Sequence, residues 1–330
     1  MLMSGEPTKH GVAQVRSAAA WLLCVALPCL VVAGPAPAQT KSAPAKEKRT
    51  KLSKEQLRER LEGKMPVIEK VMPEKYRKDP AKRRRWLQKF QVVQSDHYLL
   101  YTNGPTATCR KYAISLEDLY DFAKSQFEFD DVGYKLECYI FHQREEYYRF
   151  CVEVAGWDEK RARGTAGHAN SRYYATYYTS PTDPVVMHEA THQIVGACLK
   201  VSGVGSWFQE GMAVYVEKKI GKLDPSSGMR NELKRGSYYP LTKFVGIKSL
   251  LFDEAGHGRR SYRHAGALID FMRNTKLKPV AGKFEDFLDA ARAGRGYGRG
   301  ASVSERLVEE VYDLSLEELE ALWKRHHRVR

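Results

Sequence analysis

Residues 184–199 read PVVMHEATHQIVGACL, and this stretch decides how the rest of the chain is interpreted. Asp183 and Pro184 are typical of a helix start, because the Asp side chain caps the first turn and proline is tolerated at the first helical position. The apolar pattern continues to about Leu199, and two glycines follow shortly afterwards. The sequence therefore predicts one long, largely apolar helix.

Two histidines stand on one face of this predicted helix. His188 and His192 are four positions apart, so both imidazoles can reach a single metal ion. Glu189 points about 100° away around the helix and can act on a water molecule instead of the metal. Glu210, at the start of the next helix, supplies the third protein ligand that a catalytic zinc ion needs. The alternative for Glu210 is a first-turn glutamate favoured by the helix dipole.

The segments PVVMHEATHQIV and SWFQEGMAVYVE resemble the zinc helix and the third-ligand helix of the gluzincin metallopeptidases, which are thermolysin-like. Among them, the chain looks most like the secreted bacterial peptidase-MA-like domains, whose substrates are largely unknown. The similarity covers about residues 90–275. It implies one Zn²⁺ per chain on His188, His192 and Glu210, with Glu189 as the general base that helps a zinc-activated water hydrolyse peptide bonds.

In an enzyme of this kind the peptide substrate lies along an edge strand of the sheet. Residues 165–170 are the candidate strand, and we expect Gly167, His168, Ala169 and Asn170 to contact the protein or peptide substrate. His168 has an alternative interpretation as a surface histidine.

Related enzymes take an oxyanion donor from a downstream Tyr or His, and Tyr262 is the best candidate, with His264 behind it. Simple packing is the alternative for Tyr262. One position departs from the thermolysin-like pattern: Val214 stands four residues after Glu210, where an Asp would steady a zinc histidine. We therefore expect that histidine to take its partner from elsewhere.

The order of predicted elements indicates an α+β fold. Strand and helix patterns alternate as β, β, α, β, α, β up to residue 182, and helical patterns follow. We expect a small mixed β-sheet lobe with helices, a helical C-terminal lobe, and the zinc site in the cleft between them. The predicted units are a signal peptide (1–38), a basic, partly helical linker or pro-segment (39–89), a zinc-binding α+β lobe (90–220) and the helical lobe (221–330).

The first 38 residues have the pattern of a signal peptide. Lys9 and Arg16 precede an uncharged apolar run, and small residues lead to a predicted cleavage site near Ala38. We expect export to the periplasm, the cell envelope or the extracellular space. An N-terminal membrane anchor is the alternative, because the run over residues 17–33 approaches the length that can span a bilayer.

Four cysteines remain after this cleavage, and an oxidising compartment permits them to pair. They are Cys109, Cys138, Cys151 and Cys198. Cys198 falls on an apolar helix face, which favours a buried thiol.

Composition excludes a disordered or fibrous protein, because 43 % of the 330 residues are hydrophobic. The net charge is +14, and basic clusters lie mostly ahead of residue 90. These basic clusters are the basis of an alternative function. In it, the chain is a noncatalytic or narrowly active envelope protein whose basic segment adheres to anionic polymer or a membrane surface. No motif that reads nucleic acid accompanies the basic runs, so nucleic acid is not an expected partner.

Overall fold

The computed structural model describes residues 51–201, 203–250, 258–294 and 301–328. The predicted signal peptide and its cleavage site lie outside these residues. Within those ranges, none of the helices combines the length and the apolar character needed to cross a bilayer.

A five-stranded mixed sheet forms the centre of the fold, where the strand patterns predicted a small mixed sheet. Its spatial order is β1-β2-β3-β5-β4, with parallel pairs β2–β3 and β3–β5 and antiparallel pairs at both ends. β4 is therefore an edge strand, which places the predicted substrate segment at the rim of the sheet. The strands are β1 (Gln91–Gln94), β2 (Tyr98–Thr102), β3 (Leu136–Phe141), β4 (Gly167–Ala169) and β5 (Tyr173–Tyr177).

One face of the sheet packs on the predicted metal helix and the C-terminal helices. Tyr98 and Leu100 point to this face, because side chains alternate along a strand. The helices that share its apolar core are α4 (Thr106–Gln126), α7 (Pro184–Ile194) with a π-helical extension (Val195–Leu199), α8 (Ser206–Ile220), α9 (Met229–Lys234), α10 (Leu241–Phe244), α11 (Gly258–Asn274), α12 (Phe284–Arg292), α13 (Ala301–Tyr312) and α14 (Leu316–His326).

The predicted division between residues 220 and 221 does not separate two cores. A single apolar cluster runs from strand β2 to Trp323 in α14. The boundary between cores is instead the sheet itself, because Leu99 and Tyr101 point to the opposite face and belong to a second cluster. The mixed sheet with helices is confirmed, and the separate C-terminal lobe is replaced by a continuous core.

The second face of the sheet is covered by the N-terminal helices. Ile68, Val71 and Trp86 are almost fully buried there, and the Trp86 indole donates a hydrogen bond to Glu146 at 3.0 Å. Residues 51–90 are thus an integral layer of the fold, where the sequence favoured a linker or pro-segment. The helices of this face are α1 (Lys54–Val71), α2 (Glu74–Arg77), α3 (Pro80–Leu87), α5 (Arg144–Glu153) and α6 (Glu159–Arg163).

Helices α8 and α11 approach each other closely because two glycines face the contact. A Cβ atom on Gly266 would lie 2.4 Å from Val214 Cγ1, and one on Gly211 would lie 2.8 Å from the carbonyl oxygen of Ala265. Neither distance leaves room for a methyl group. The pair fixes the position of the N-terminal half of α8, where Glu210 lies.

The substitution Gly266→Ala tests this contact. Helix propensity favours alanine by up to about 1 kcal/mol at both Gly266 and Gly63, which lies in α1 with no atom within 4 Å of its added Cβ. We expect Gly266→Ala to have a free energy of unfolding about 1–3 kcal/mol below that of Gly63→Ala, because only the former overpacks a helix contact. Urea titrations measure the difference, and equal stabilities would contradict the close packing.

Candidate metal centre

Helix α7 begins where the sequence predicted. The Asp183 side chain accepts a hydrogen bond from the Val185 amide at 2.9 Å, and Pro184 occupies the first turn. This start sets the rotation of the helix, so that the rings of His188 and His192 lie side by side with centroids 4.9 Å apart. His188 is buried, and the His192 side chain is 9 % exposed.

The Glu210 carboxylate lies between the two imidazoles. Its Oε2 atom is 3.1 Å from His188 Nε2 and 3.4 Å from His192 Nε2, and the residue is buried. Tetrahedral ligands about 2.0–2.1 Å from one zinc ion are about 3.3 Å apart. The two distances from Glu210 are close to this separation, and two imidazole nitrogens with one carboxylate are a donor set that zinc accepts.

Glu189 lies beside the same histidines. Ligand atoms of His188, Glu189 and His192 are within 4.8 Å of one another, so this buried group could hold a metal ion. Glu189 also meets the edge strand, because a Cβ on Gly167 would lie 3.2 Å from Glu189 Cγ. The base predicted from the sequence therefore stands between the imidazoles and strand β4.

Sequence reasoning missed Glu217. Its Oε2 atom lies 3.3 Å from His188 Nδ1, the ring nitrogen that faces away from Glu210. A hydrogen bond from Nδ1–H to this carboxylate leaves the Nε2 lone pair free for a metal. Val214, where thermolysin-like enzymes have an Asp, packs instead beside Gly266. The spacing offered a signal, because Glu217 follows Glu210 by seven residues and so lies on the same face of α8.

The electrostatics of this pocket favour a positive charge between the imidazoles and the carboxylates. Burial lowers the pKa of His188, but hydrogen bonds to Glu210 and Glu217 outweigh that effect and raise it to about 10. Burial raises the pKa of Glu210, but the charge of His192 and the hydrogen bonds of both histidines lower it to about 2. A cation bound here would be stabilised by the same carboxylate.

The structure brings Tyr262 to this site but not His264. The Tyr262 ring centroid lies 5.8 Å from that of His188, and the residue is 7 % exposed. His264 is two positions along α11, about 200° around the helix, and stacks between Phe244 and Trp323 at 4.0 and 4.6 Å. His264 is therefore a core residue, and its predicted catalytic role is not supported by its position.

Strand β4 presents its residues to opposite faces of the sheet. Gly167 faces Glu189 and Ala169 packs against the same core, but His168 points the other way. Its Nδ1 atom is 3.1 Å from the Tyr147 hydroxyl, and burial lowers its pKa to about 3. Asn170 accepts hydrogen bonds from the amides of Arg172 and Tyr173, so its side chain closes the hairpin turn. These positions do not support the predicted substrate contacts of His168 and Asn170, which stay predictions.

All four cysteines of the described chain are buried thiols, and none of them is bonded to another within it. This agrees with the expectation for Cys198. Burial raises the pKa of Cys109 and that of Cys151 to about 12, so both thiols stay protonated.

Comparisons with known proteins do not assign this chain to a family. No family model matches the sequence, and no curated protein is recognisably similar to it.

Replacing Glu217 by alanine tests its role toward His188. The loss of a carboxylate that orients a histidine weakens metal binding by about 10- to 100-fold. We expect that decrease for Zn²⁺ titrated into chelator-treated protein by calorimetry. Lys218→Ala is the matched control, because it removes the ion-pair partner of Glu217, 3.4 Å away, and leaves the contact with His188 in place. Equal zinc affinities in the two variants would contradict the assignment.

The burial of His264 leads to a prediction of how the stability of the protein depends on pH. Burial lowers its pKa from 6.5 to about 3, and neither ring nitrogen has a hydrogen-bond partner among the described residues. Below pH 6.5 the unfolded chain binds a proton on this imidazole, and the folded chain does not. As the pH falls from 6.5 to 3, His264 therefore lowers the free energy of unfolding by up to about 1.4 kcal/mol for each pH unit.

His264→Phe removes this contribution while preserving the stack. Denaturant titrations at pH 7, 5.5 and 4.5 should show a shallower loss of stability for His264→Phe than for the parent. The same replacement at the exposed His142 should leave the slope unchanged. A parental slope in His264→Phe would contradict a neutral, buried His264.

Proposed function

We propose that this protein is a secreted zinc-dependent metallopeptidase that hydrolyses peptide bonds in a protein or peptide substrate. The observation that carries the proposal is the position of Glu210 Oε2, 3.1 and 3.4 Å from the Nε2 atoms of two histidines that stand one helical turn apart. A second carboxylate, Glu189, adjoins the same pair and faces an edge strand.

In this proposal His188, His192 and Glu210 hold one zinc ion. When bound, zinc would supply a Lewis acid that polarises the scissile carbonyl and lowers the pKa of water. Two histidines with a glutamate leave a fourth tetrahedral position open, which distinguishes a catalytic from a structural zinc site.

Glu189 is the proposed general base. Its carboxylate accepts a proton from the attacking water and then donates it to the leaving amine, so one residue serves both halves of the hydrolysis. Glycine at position 167 supports this role, because a Cβ there would lie 3.2 Å from Glu189 Cγ and crowd this side chain.

The substrate backbone would bind along the rim of the sheet at β4. Because this strand is at the edge, its outward amide and carbonyl groups can pair with an extended peptide. Gly167 brings that peptide next to Glu189 without an intervening side chain. Tyr262, beside His188, is the proposed donor to the developing oxyanion.

The similarity of the two helix segments to gluzincins, and within them to peptidase-MA-like domains, is consistent with this proposal. Export to the periplasm, cell envelope or extracellular space also remains part of it, on the sequence of residues 1–38.

A binding role without catalysis is the second candidate, favoured by the charge of the N-terminal layer. Residues 51–90 contain 14 Lys and Arg but 6 Asp and Glu, a difference of +8, and they form a folded surface over the second face of the sheet. Such a surface suits an anionic polymer or a membrane surface.

The substitution Glu189→Gln distinguishes the peptidase proposal from the binding role. We expect the zinc-loaded parent to cut a peptide library, and the cuts to disappear with a chelator. Glu189→Gln should retain about one zinc per chain while losing at least about 100-fold in rate, because general-base catalysis typically contributes that much. Mass spectrometry counts the cuts, and metal analysis counts the zinc.

Glu146→Gln provides the matched control, since it makes the same replacement at a buried glutamate of the other core. Its rate should stay near that of the parent. Undiminished cleavage by zinc-replete Glu189→Gln would exclude the mechanism, and a zinc-loaded parent that cuts nothing would favour the binding role.

A further inference from the structure

A cavity lies at the far end of helix α7, beyond the candidate metal centre. Its volume is about 560 Å³, within the range of small-molecule sites. Helix α1, the segment before β3, the β4–β5 turn and the π-helical extension of α7 supply its walls. It is distinct from the metal centre, because Gly196 in its wall is eight residues beyond His188, roughly 12 Å along the helix.

Three basic side chains line this cavity from three different segments: Arg60 from α1, Lys135 from before β3, and Arg172 from the hairpin turn. Across residues 51–201, 203–250, 258–294 and 301–328, neither arginine forms an ion pair. The acidic residue of the lining, Glu137, is already paired with Lys64 at 2.6 Å. The positive charge gathered here is therefore not balanced by the cavity's own carboxylate.

The lining is also held in place. Lys135 Nζ donates hydrogen bonds to the carbonyl oxygens of Ser95 and Asp96 at 2.6 and 3.1 Å, which fixes the position of the ammonium. Ser171 packs against Gly196, where a Cβ would lie 3.2 Å from the Ser171 Cβ. This contact ties the hairpin turn carrying Arg172 to the end of α7. Ser171 and Tyr134 add hydroxyl groups to the lining.

We propose that this cavity binds a small organic anion carrying phosphate or carboxylate groups. Guanidinium groups form paired hydrogen bonds with either group, and the ammonium adds a point charge. Hydroxyl donors complete a lining that suits oxyanions. This site does not depend on the proposed peptidase activity.

Calorimetry with inorganic phosphate and with tricarballylate, at constant ionic strength, tests the proposal in the full chain. We expect at least one probe to bind with a stoichiometry of one, in both zinc-loaded and chelator-treated protein. Binding of phosphate alone or of tricarballylate alone identifies which group the site takes. Arg60→Gln and Arg172→Gln should each weaken binding by about tenfold or more, because each removes a charge-assisted hydrogen bond.

Arg85→Gln is the control, since Arg85 is an exposed arginine on α3 outside the cavity. The affinity of this variant for the probe should stay within about twofold of that of the parent. Circular dichroism verifies that all three variants fold. The proposal is overturned if neither probe binds the parent below about 10 mM. It is equally overturned if binding persists unchanged in Arg60→Gln and Arg172→Gln, or if binding requires the metal.

Discussion

The contact between helices α8 and α11 fixes the geometry of the candidate metal centre. Gly211 and Gly266 allow the two helices to approach until their backbones nearly touch, and Glu210 directly precedes the first of these glycines. Its carboxylate can then lie between His188 and His192. Because this carboxylate is buried with the imidazoles, the site favours positive charge, which is the condition that a cation-binding pocket must satisfy. The position of one helix therefore brings a buried carboxylate to the histidine pair.

Much of this arrangement could be predicted from the sequence, because the relevant signals are local. Alternating residues predicted the strands, and Asp183 with Pro184 predicted the start of α7, which the structure confirms. The same local rules bear on two of the predicted site residues. Alternation along β4 turns His168 away from Gly167, and the helical period turns His264 away from Tyr262. The seven-residue spacing from Glu210 to Glu217 likewise indicates that both residues lie on one face of α8. It does not indicate that His188, on another helix, is the partner of Glu217.

The features that sequence could not supply depend on tertiary packing. Residues 51–90 are rich in Lys and Arg, so they resemble a solvated segment. Trp86 is buried because β-sheet residues of the opposite face need a cover, and Glu146 accepts its indole proton. The cavity lined by Arg60 and Arg172 also depends on tertiary packing, because its wall joins segments more than a hundred residues apart. A sheet with two apolar faces thus separates the candidate metal centre from a basic layer.

Anomalous X-ray diffraction at the zinc edge, from crystals of the zinc-loaded protein, tests the central claim most directly. The account predicts one anomalous peak per chain, about 2.0–2.2 Å from His188 Nε2, His192 Nε2 and a Glu210 carboxylate oxygen, with Glu189 outside bonding distance. A peak that Glu189 ligates in place of Glu210, or the absence of any peak between the two histidines, would contradict it.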